Sequence, residues 1–213
     1  MDLISLLKKL PVDFGQAGYK HSAAEKMIAI SLVSKKGNGL IALDIGCRDG
    51  YWSERIKEFG YKVISLDLDP KYKDAIRHDL GKGLPFESGY FDLIWCTDVI
   101  EHLCKPDFLV SEIDRTLKEG GTAIVTTPNS AFWFYHIVKL WGWTPKKLQN
   151  ADHKQFFNLK DVQKLADGYE IYGYFPYLNF FFFKIKKLVG FLSPTFIMSK
   201  RIRSKINLKY EST

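Results

Sequence analysis

Hydrophobic positions along this chain switch repeatedly between the spacing of helices and the continuous runs of buried strands. Residues 21–35 carry Ala23, Met27, Ile28 and Leu32 at helical intervals, and Gly37-Asn38-Gly39 ends the run. Leu40–Asp44 then reads as a strand, followed by a glycine turn and a helix over 51–59 that Gly60 closes. Lys62–Asp67 and Phe91–Thr97 are further strands. A helix is predicted over Phe108–Lys118, stopped by Glu119-Gly120-Gly121, and then a strand over Thr122–Thr127 that Pro128 breaks. Strands alternating with helices predict βαβ units on a largely parallel sheet, an α/β fold.

Beyond Asn129 the pattern changes. Segments 131–143 and 172–191 hold 15 of the 32 aromatic residues of the chain. Residues 158–167 predict a helix with Asn158 as its N-cap. Strands are expected over 169–175 and 195–200, as a hairpin pair around a helical stretch at 181–192. No internal repeat or low-complexity linker interrupts this order, so the 213 residues read as one domain. Within it, 1–36 form an N-terminal helical cap and 37–175 a core, with 131–157 and 176–213 as aromatic and basic flanks.

Composition narrows the class. With 46% hydrophobic and 26% charged residues the chain is not of disordered type. Three cysteines at irregular spacing (Cys47, Cys96, Cys104) make neither a disulfide framework nor a zinc pattern, which favours a reducing, cytoplasmic setting. MDLISLLKKL lacks a cleavage site of signal-peptide type. The most apolar stretch, 171–192, is interrupted by Lys184, Lys186 and Lys187, so no spanning helix is expected. The net charge of +7 is unevenly spread. Residues 1–130 hold 17 Lys/Arg and 19 Asp/Glu (−2), while 131–213 hold 14 and 5 (+9). The basic, aromatic end therefore predicts contact with something anionic or amphiphilic, such as a lipid-linked acceptor or a membrane surface touched peripherally.

Candidate chemistry concentrates at Ile41–Gly50, a strand that turns tightly through Gly46-Cys47-Arg48-Asp49-Gly50 into a helix. Glycine there leaves bare backbone against which a nucleotide-like ligand can lie. Asp67 ends the next strand 21 residues after Gly46, where a carboxylate can accept both ribose hydroxyls of an adenosine cofactor. The turn fits neither GxGxxG nor a Walker loop.

Four segments, LDIGCRDG, SLDLD, DLGKGLPFESGYFDLIWCTDVIEHL and RTLKEGGTAIVTTPN, resemble in order and spacing the class I S-adenosylmethionine-dependent methyltransferases. The likeness spans roughly residues 40–175 and is nearest the small-molecule branch that includes quinone O-methyltransferases. It implies a Rossmann-like fold, a seven-stranded mostly parallel sheet with helices on both faces. It also implies S-adenosylmethionine as cofactor and methyl transfer to an O or N atom of a small molecule, lipid or glycan. Position by position, the resemblance assigns the methionine end of the cofactor to Asp44, Gly46 and Gly50, and the ribose to Asp67. Adenine falls to Asp79 and the Leu80 N–H, and the methyl group to Cys96 and Thr97. Arg48 departs from the pattern, which carries glycine there. Either the turn tolerates the side chain, directed to solvent, or cofactor binding is weakened.

His102 and His153 are the candidate catalytic groups. His102 closes Asp98-Val99-Ile100-Glu101-His102, whose Asp98, Glu101 and His102 could act as a base or a divalent-metal cluster. Equally, Glu101 and His102 could merely orient the following helix and line the pocket, and no metal ligand set is assigned. His153 precedes the 158–167 helix, as a base or a polar lead-in. Two other functions compete. An RNA methyltransferase would suit the basic tail, but lysines interleaved with phenylalanines and no RNA-binding module argue against nucleic acid. A non-catalytic protein keeping the fold would explain Arg48.

Overall fold

In the computed structural model, which describes residues 24–149, 152–178 and 181–202, five parallel strands form one side of the sheet. They are β1 (Ile41–Ile45), β2 (Lys62–Asp67), β3 (Ile76–Arg77), β4 (Phe91–Thr97) and β5 (Leu117–Pro128). Three antiparallel strands extend the β5 side: β6 (Glu170–Leu178), β7 (Phe181–Ile185) and β8 (Thr195–Arg201). The order across the sheet is β3-β2-β1-β4-β5-β8-β6-β7. The part of the expected 21–35 helix before Ala24 lies outside the described residues, as does the basic stretch around Arg203, Lys205 and Lys209.

Successive strand residues feed opposite cores, because side chains alternate faces with a period of two. On one face Leu43, Ile45, Ile94, Cys96, Ala123, Val125, Phe196 and Met198 pack against helices Pro106–Thr116 (α3), Leu159–Leu165 (α6) and Val189–Leu192 (α7). On the other, Ala42, Leu93, Trp95, Ile124 and Ile197 pack against Ala24–Ser31 (α1), Tyr51–Lys57 (α2), Trp133–Val138 (α4) and Pro145–Leu148 (α5). Phe91 and Ile94 share a face despite their odd spacing because the β4–β5 register shifts between Phe91 and Leu93.

Three expectations needed correction. The sheet has eight strands, not seven: Phe181–Ile185, expected as helix, is the added edge strand. Its run of phenylalanines suits a pleated surface, and the helix starts only at Val189, after Leu188 turns the chain with φ +54°. β6 and β8 do pair antiparallel, but β7 and α7 intervene between them. The helix before β5 runs Pro106–Thr116, with proline in its first turn, and β5 already begins at Leu117. Glu119-Gly120-Gly121 is therefore the irregular start of that strand: Gly120 takes φ +82° and its N–H bonds the Ile202 carbonyl. The Asn158 cap is present, with Asp161 returning the bond to complete a capping box.

Beyond β5 the chain is tied down by buried Asn129. Its amide donates to the carbonyls of Gly190 (2.9 Å) and Ser193 (2.7 Å) and accepts from the Ala131 N–H (2.9 Å). A bridge to Phe157 brings the 152–158 segment over the same end of the sheet. Asn129→Ala strands the buried Ser193 carbonyl, the half-buried Gly190 carbonyl and the Ala131 N–H, and should lower stability by about 1–3 kcal/mol in urea unfolding.

Candidate active site

β1 leaves the sheet at Gly46, whose N–H, with that of Cys47, is held by the Leu66 carbonyl of β2 (2.8 and 3.1 Å). The turn then needs left-handed backbone at Gly46 (φ +75°), Arg48 (φ +47°) and Gly50 (φ +80°). Both glycines are required by packing as well as by conformation. A Cβ on Gly46 would lie 2.4 Å from a Val99 methyl, and one on Gly50 2.3 Å from the Tyr72 ring. Here the protein's own side chains occupy the space that a Cβ would take.

Arg48 is stabilised in its unfavourable conformation from two sides. Its N–H donates to Asp67 Oδ2 (2.8 Å), and its carbonyl accepts from Lys71 and Tyr72 (2.9 and 3.0 Å). Its side chain stays half-buried instead of leaving fully into solvent. The second Asp67 oxygen accepts from the Asp69 N–H (2.8 Å), so this carboxylate at the exit of β2 is oriented by backbone donors. Asp79 caps the short turn Leu80–Lys82 through the Gly81 N–H (2.9 Å) and is exposed. Cys96 is fully buried in the hydrophobic cluster, and burial drives its thiol well above the usual range. Its backbone is therefore what it can offer a ligand, beside half-exposed Thr97.

Three carboxylates gather at the carboxyl-terminal ends of β1 and β4. Asp44 is buried, accepts from Ser53 Oγ (2.6 Å), and is pushed up to about 7 by burial, against the pull of Ser53 and Lys26. Asp98, with φ +55°, accepts from Thr126 Oγ1 (3.1 Å) and from Lys26 Nζ (2.5 Å). Burial raises its pKa, but the lysine charge and these hydrogen bonds outweigh burial and hold it below the ordinary range. Glu101 is 1% exposed and accepts from Thr127 Oγ1 (3.1 Å), and its buried Oε1 has no hydrogen-bond partner. Burial, then the Asp98 charge, raise it to about 8, so it holds a proton at neutral pH.

The chain folds His102 and His153 together, ring centroids 4.8 Å apart and edge-to-face. The bridge is the backbone of Glu101, whose carbonyl accepts from the N–H groups of Lys154 and Gln155 (2.9 and 3.0 Å). Each imidazole faces an oxygen with Nδ1: the Asp152 carbonyl for His102 and the Gln149 side chain for His153, both at 3.3 Å. For His153 the Gln149 carbonyl oxygen suits a proton on Nδ1, which leaves Nε2 with the lone pair. Burial, with His102 next, lowers the pKa of His153 and keeps it neutral at pH 7. Ligand atoms of Glu101, His102 and His153 all lie within 4.8 Å of one another, so the trio could hold a proton in transit or a divalent cation. The acidic–histidine set expected from sequence contained Asp98 in place of His153; the structure turns Asp98 toward Lys26.

Lys26 is the site residue that sequence reading missed. It sits on the buried side of α1 among Ala24, Glu25, Ile28 and Ala29, and its only signal was a charged pair, Glu25-Lys26, within a mostly apolar helix.

A family model described as a methyltransferase domain matches residues 19–171. The chain is 26% identical over 163 residues to a ubiquinone biosynthesis O-methyltransferase of Idiomarina loihiensis, covering 66% of each protein. It is 35% identical over 100 residues to a probable S-adenosylmethionine-dependent methyltransferase of Mycolicibacterium smegmatis, covering 43% of this chain and 39% of that one. Across the first three such relatives the chain spans between 39% and 66% of their length. Among solved structures, a possible histamine N-methyltransferase of Thermotoga maritima superposes with TM-score 0.64 at 15% identity, over 84% of this chain and 88% of that one. A 1,6-didemethyltoxoflavin-N1-methyltransferase of Burkholderia thailandensis, with bound S-adenosylhomocysteine, gives 0.58 at 15% identity, over 95% and 88%. At such identities the structures share the fold.

With Glu101 near 8 and Asp44 near 7, the folded protein keeps protons that the unfolded chain releases above about pH 4.5. Stability should therefore fall as pH rises from about 5 to 8, and Glu101→Gln should flatten the slope by up to about 1.4 kcal/mol per pH unit in thermal unfolding. Arg48→Gly relieves left-handed strain at the cost of chain entropy and should raise stability by about 0–1 kcal/mol in the same assay.

Proposed function

The chain belongs to the methyltransferase-domain family, in its class I S-adenosylmethionine-dependent group, and on that premise we propose that it methylates an oxygen or nitrogen of a small-molecule or lipid-linked acceptor. The observation that carries the cofactor reading is Asp67, both of whose oxygens are aligned by backbone N–H groups at the exit of β2, beside the glycine turn. A carboxylate so oriented suits a vicinal diol. The donor set fits the cofactor's charge as well: a sulfonium cation is better served by the surrounding carboxylates than by a phosphate cradle. When bound, S-adenosylmethionine supplies an electrophilic methyl carbon on sulfur.

Within this reading Asp67 takes the ribose hydroxyls, and Asp79 takes the adenine amino group beside the Leu80 N–H. Asp44 and the backbone of Gly46 and Gly50 take the methionine end, with Cys96 and Thr97 bordering the methyl group. An acceptor hydroxyl must lose a proton as its oxygen takes the methyl. His153, neutral and with Nε2 carrying the lone pair, receives it, and His102 stands next in line. Relatives named for ubiquinone O-methylation support oxygen ahead of nitrogen. No described helix is long and apolar enough to cross a membrane.

Calorimetric titration with S-adenosylmethionine and S-adenosylhomocysteine tests the cofactor site. Micromolar binding is expected, weakened at least about tenfold by Asp67→Ala through the loss of charge-assisted hydrogen bonds. Binding restored only by Arg48→Gly would make the chain a non-catalytic relative. No binding by wild type or by Arg48→Gly would overturn the proposal.

A further inference from the structure

We propose that the rim at the carboxyl-terminal end of the sheet docks on an anionic lipid surface. This extends the functional reading and stands on separate observations. Leu140 and Trp141 are 82% and 69% exposed on a single helical turn, Lys139–Trp141, that follows α4 and is closed by Gly142 at φ +74°. Phe183, Leu188 and Phe191 are 56%, 71% and 56% exposed on and after β7. Single exposed apolar residues are ordinary on a protein surface; adjacent large ones on a protruding turn mark a contact.

Strand register puts Phe183 at the same end of the molecule as the Lys139–Trp141 turn. Cys96 and Thr97, at the end of β4, lie level with Val125 and Thr126 of β5. Thr126 is level with Ile197, and Ile197 with Tyr172 of β6. From there β6 runs on past the end of β5, and Phe183 pairs with Phe175, three residues beyond Tyr172. The 131–149 segment leaves β5 at the same end. Leu140, Trp141 and Phe183 thus border the end of the sheet that carries Asp67, Glu101 and the two histidines, whereas Leu188 lies beside Asp167–Tyr169 at the start of β6 and stands apart from them.

The charge of the rim identifies the occupant. No Asp or Glu occurs in 131–149 or in 171–202, whereas Lys139, Lys146, Lys147, Lys184, Lys186 and Lys187 are all exposed there. Lys186 reaches back to Glu170 at 3.3 Å, and Lys184 and Lys186 both lie 4.8 Å over the Tyr172 ring. Lys147 holds the turn by donating to the Gly142 carbonyl (2.8 Å). Lys139 and Lys146 bracket the Leu140–Trp141 tip in sequence. Apolar tips flanked by cations combine shallow insertion with attraction to anionic headgroups, and tryptophan favours that boundary. A second copy of the chain would bring the same positive charge against this face.

Co-sedimentation of the full chain with phosphatidylcholine vesicles, with and without phosphatidylglycerol, tests the proposal. Binding is expected only to the anionic vesicles and should be largely lost in about 0.5 M salt. Leu140→Ser/Trp141→Ser should weaken it severalfold, and Lys139→Gln/Lys146→Gln by about fivefold per lysine. Affinity for S-adenosylhomocysteine, measured on the same variants, should not change; this confirms their folding and keeps the lipid result separate from the cofactor reading. Absence of anionic-vesicle binding, or equal binding by the variants, overturns the proposal. So does a dimer in sedimentation that the Leu140/Trp141 variant abolishes, or salt-sensitive RNA binding that vesicles do not displace.

Discussion

One buried cation sets the electrostatics of the reactive end of this protein. The charge of Lys26 acts on three carboxylates, Asp44, Asp98 and Glu101, and its ammonium pairs directly with Asp98. Burial works against its charge, yet the surrounding acids keep its pKa above normal. A single lysine neutralises one acid well and the others only partly, so Asp98 stays ionised while Asp44 and Glu101 retain protons near neutrality. Removing the lysine would leave Asp98 with solvent and its Thr126 hydrogen bond as partners, and would push the buried Asp44 and Glu101 further toward their protonated forms. The first described helix is thus part of the site, anchored to a strand end 72 residues away.

The same end of the sheet holds two non-glycine residues in left-handed backbone. Arg48 leaves β1 and Asp98 leaves β4, and a neighbouring strand restrains each of them. Asp67 accepts from the Arg48 N–H, and the Thr126 carbonyl accepts from the Asp98 N–H (3.2 Å). Strain of this kind persists only where the surroundings over-determine it, and it gathers where a chain must turn sharply around a ligand. The proton-bearing glutamate and the paired imidazoles lie beyond the second of these turns, within reach of one another because Glu101 lends its backbone to residues 154 and 155.

Much of this was legible in sequence where local rules and packing agree. β2 and β4 were read to the residue, because a parallel strand covered on both faces is a continuous apolar run bounded by turns. The glycine turn and Asp67 were legible because their spacing follows from one βαβ unit. The edge strand β7 was not, since phenylalanines interrupted by lysines fit either period, and only pairing with β6 decides. The start of β5 was hidden by two glycines that commonly end a helix. His102 and His153 were singled out separately, but their contact crosses 51 positions and rests on tertiary structure. Lys26 gave only a weak signal, because its partner Asp98 stands 72 positions away.

The added strand has a cost of its own. Among the described strands β7 lies at the margin of the sheet, and a phenylalanine-rich edge is the kind of strand that can recruit others. The register slip between Phe175 and Leu178 shortens the regular ladder behind it, and Lys184, Lys186 and Lys187 place positive charge along and just after it. Two copies brought edge to edge would align those ammonium groups, so the lysines act as gatekeepers against aggregation. Positive charge along this short stretch therefore opposes edge-to-edge pairing of the strand.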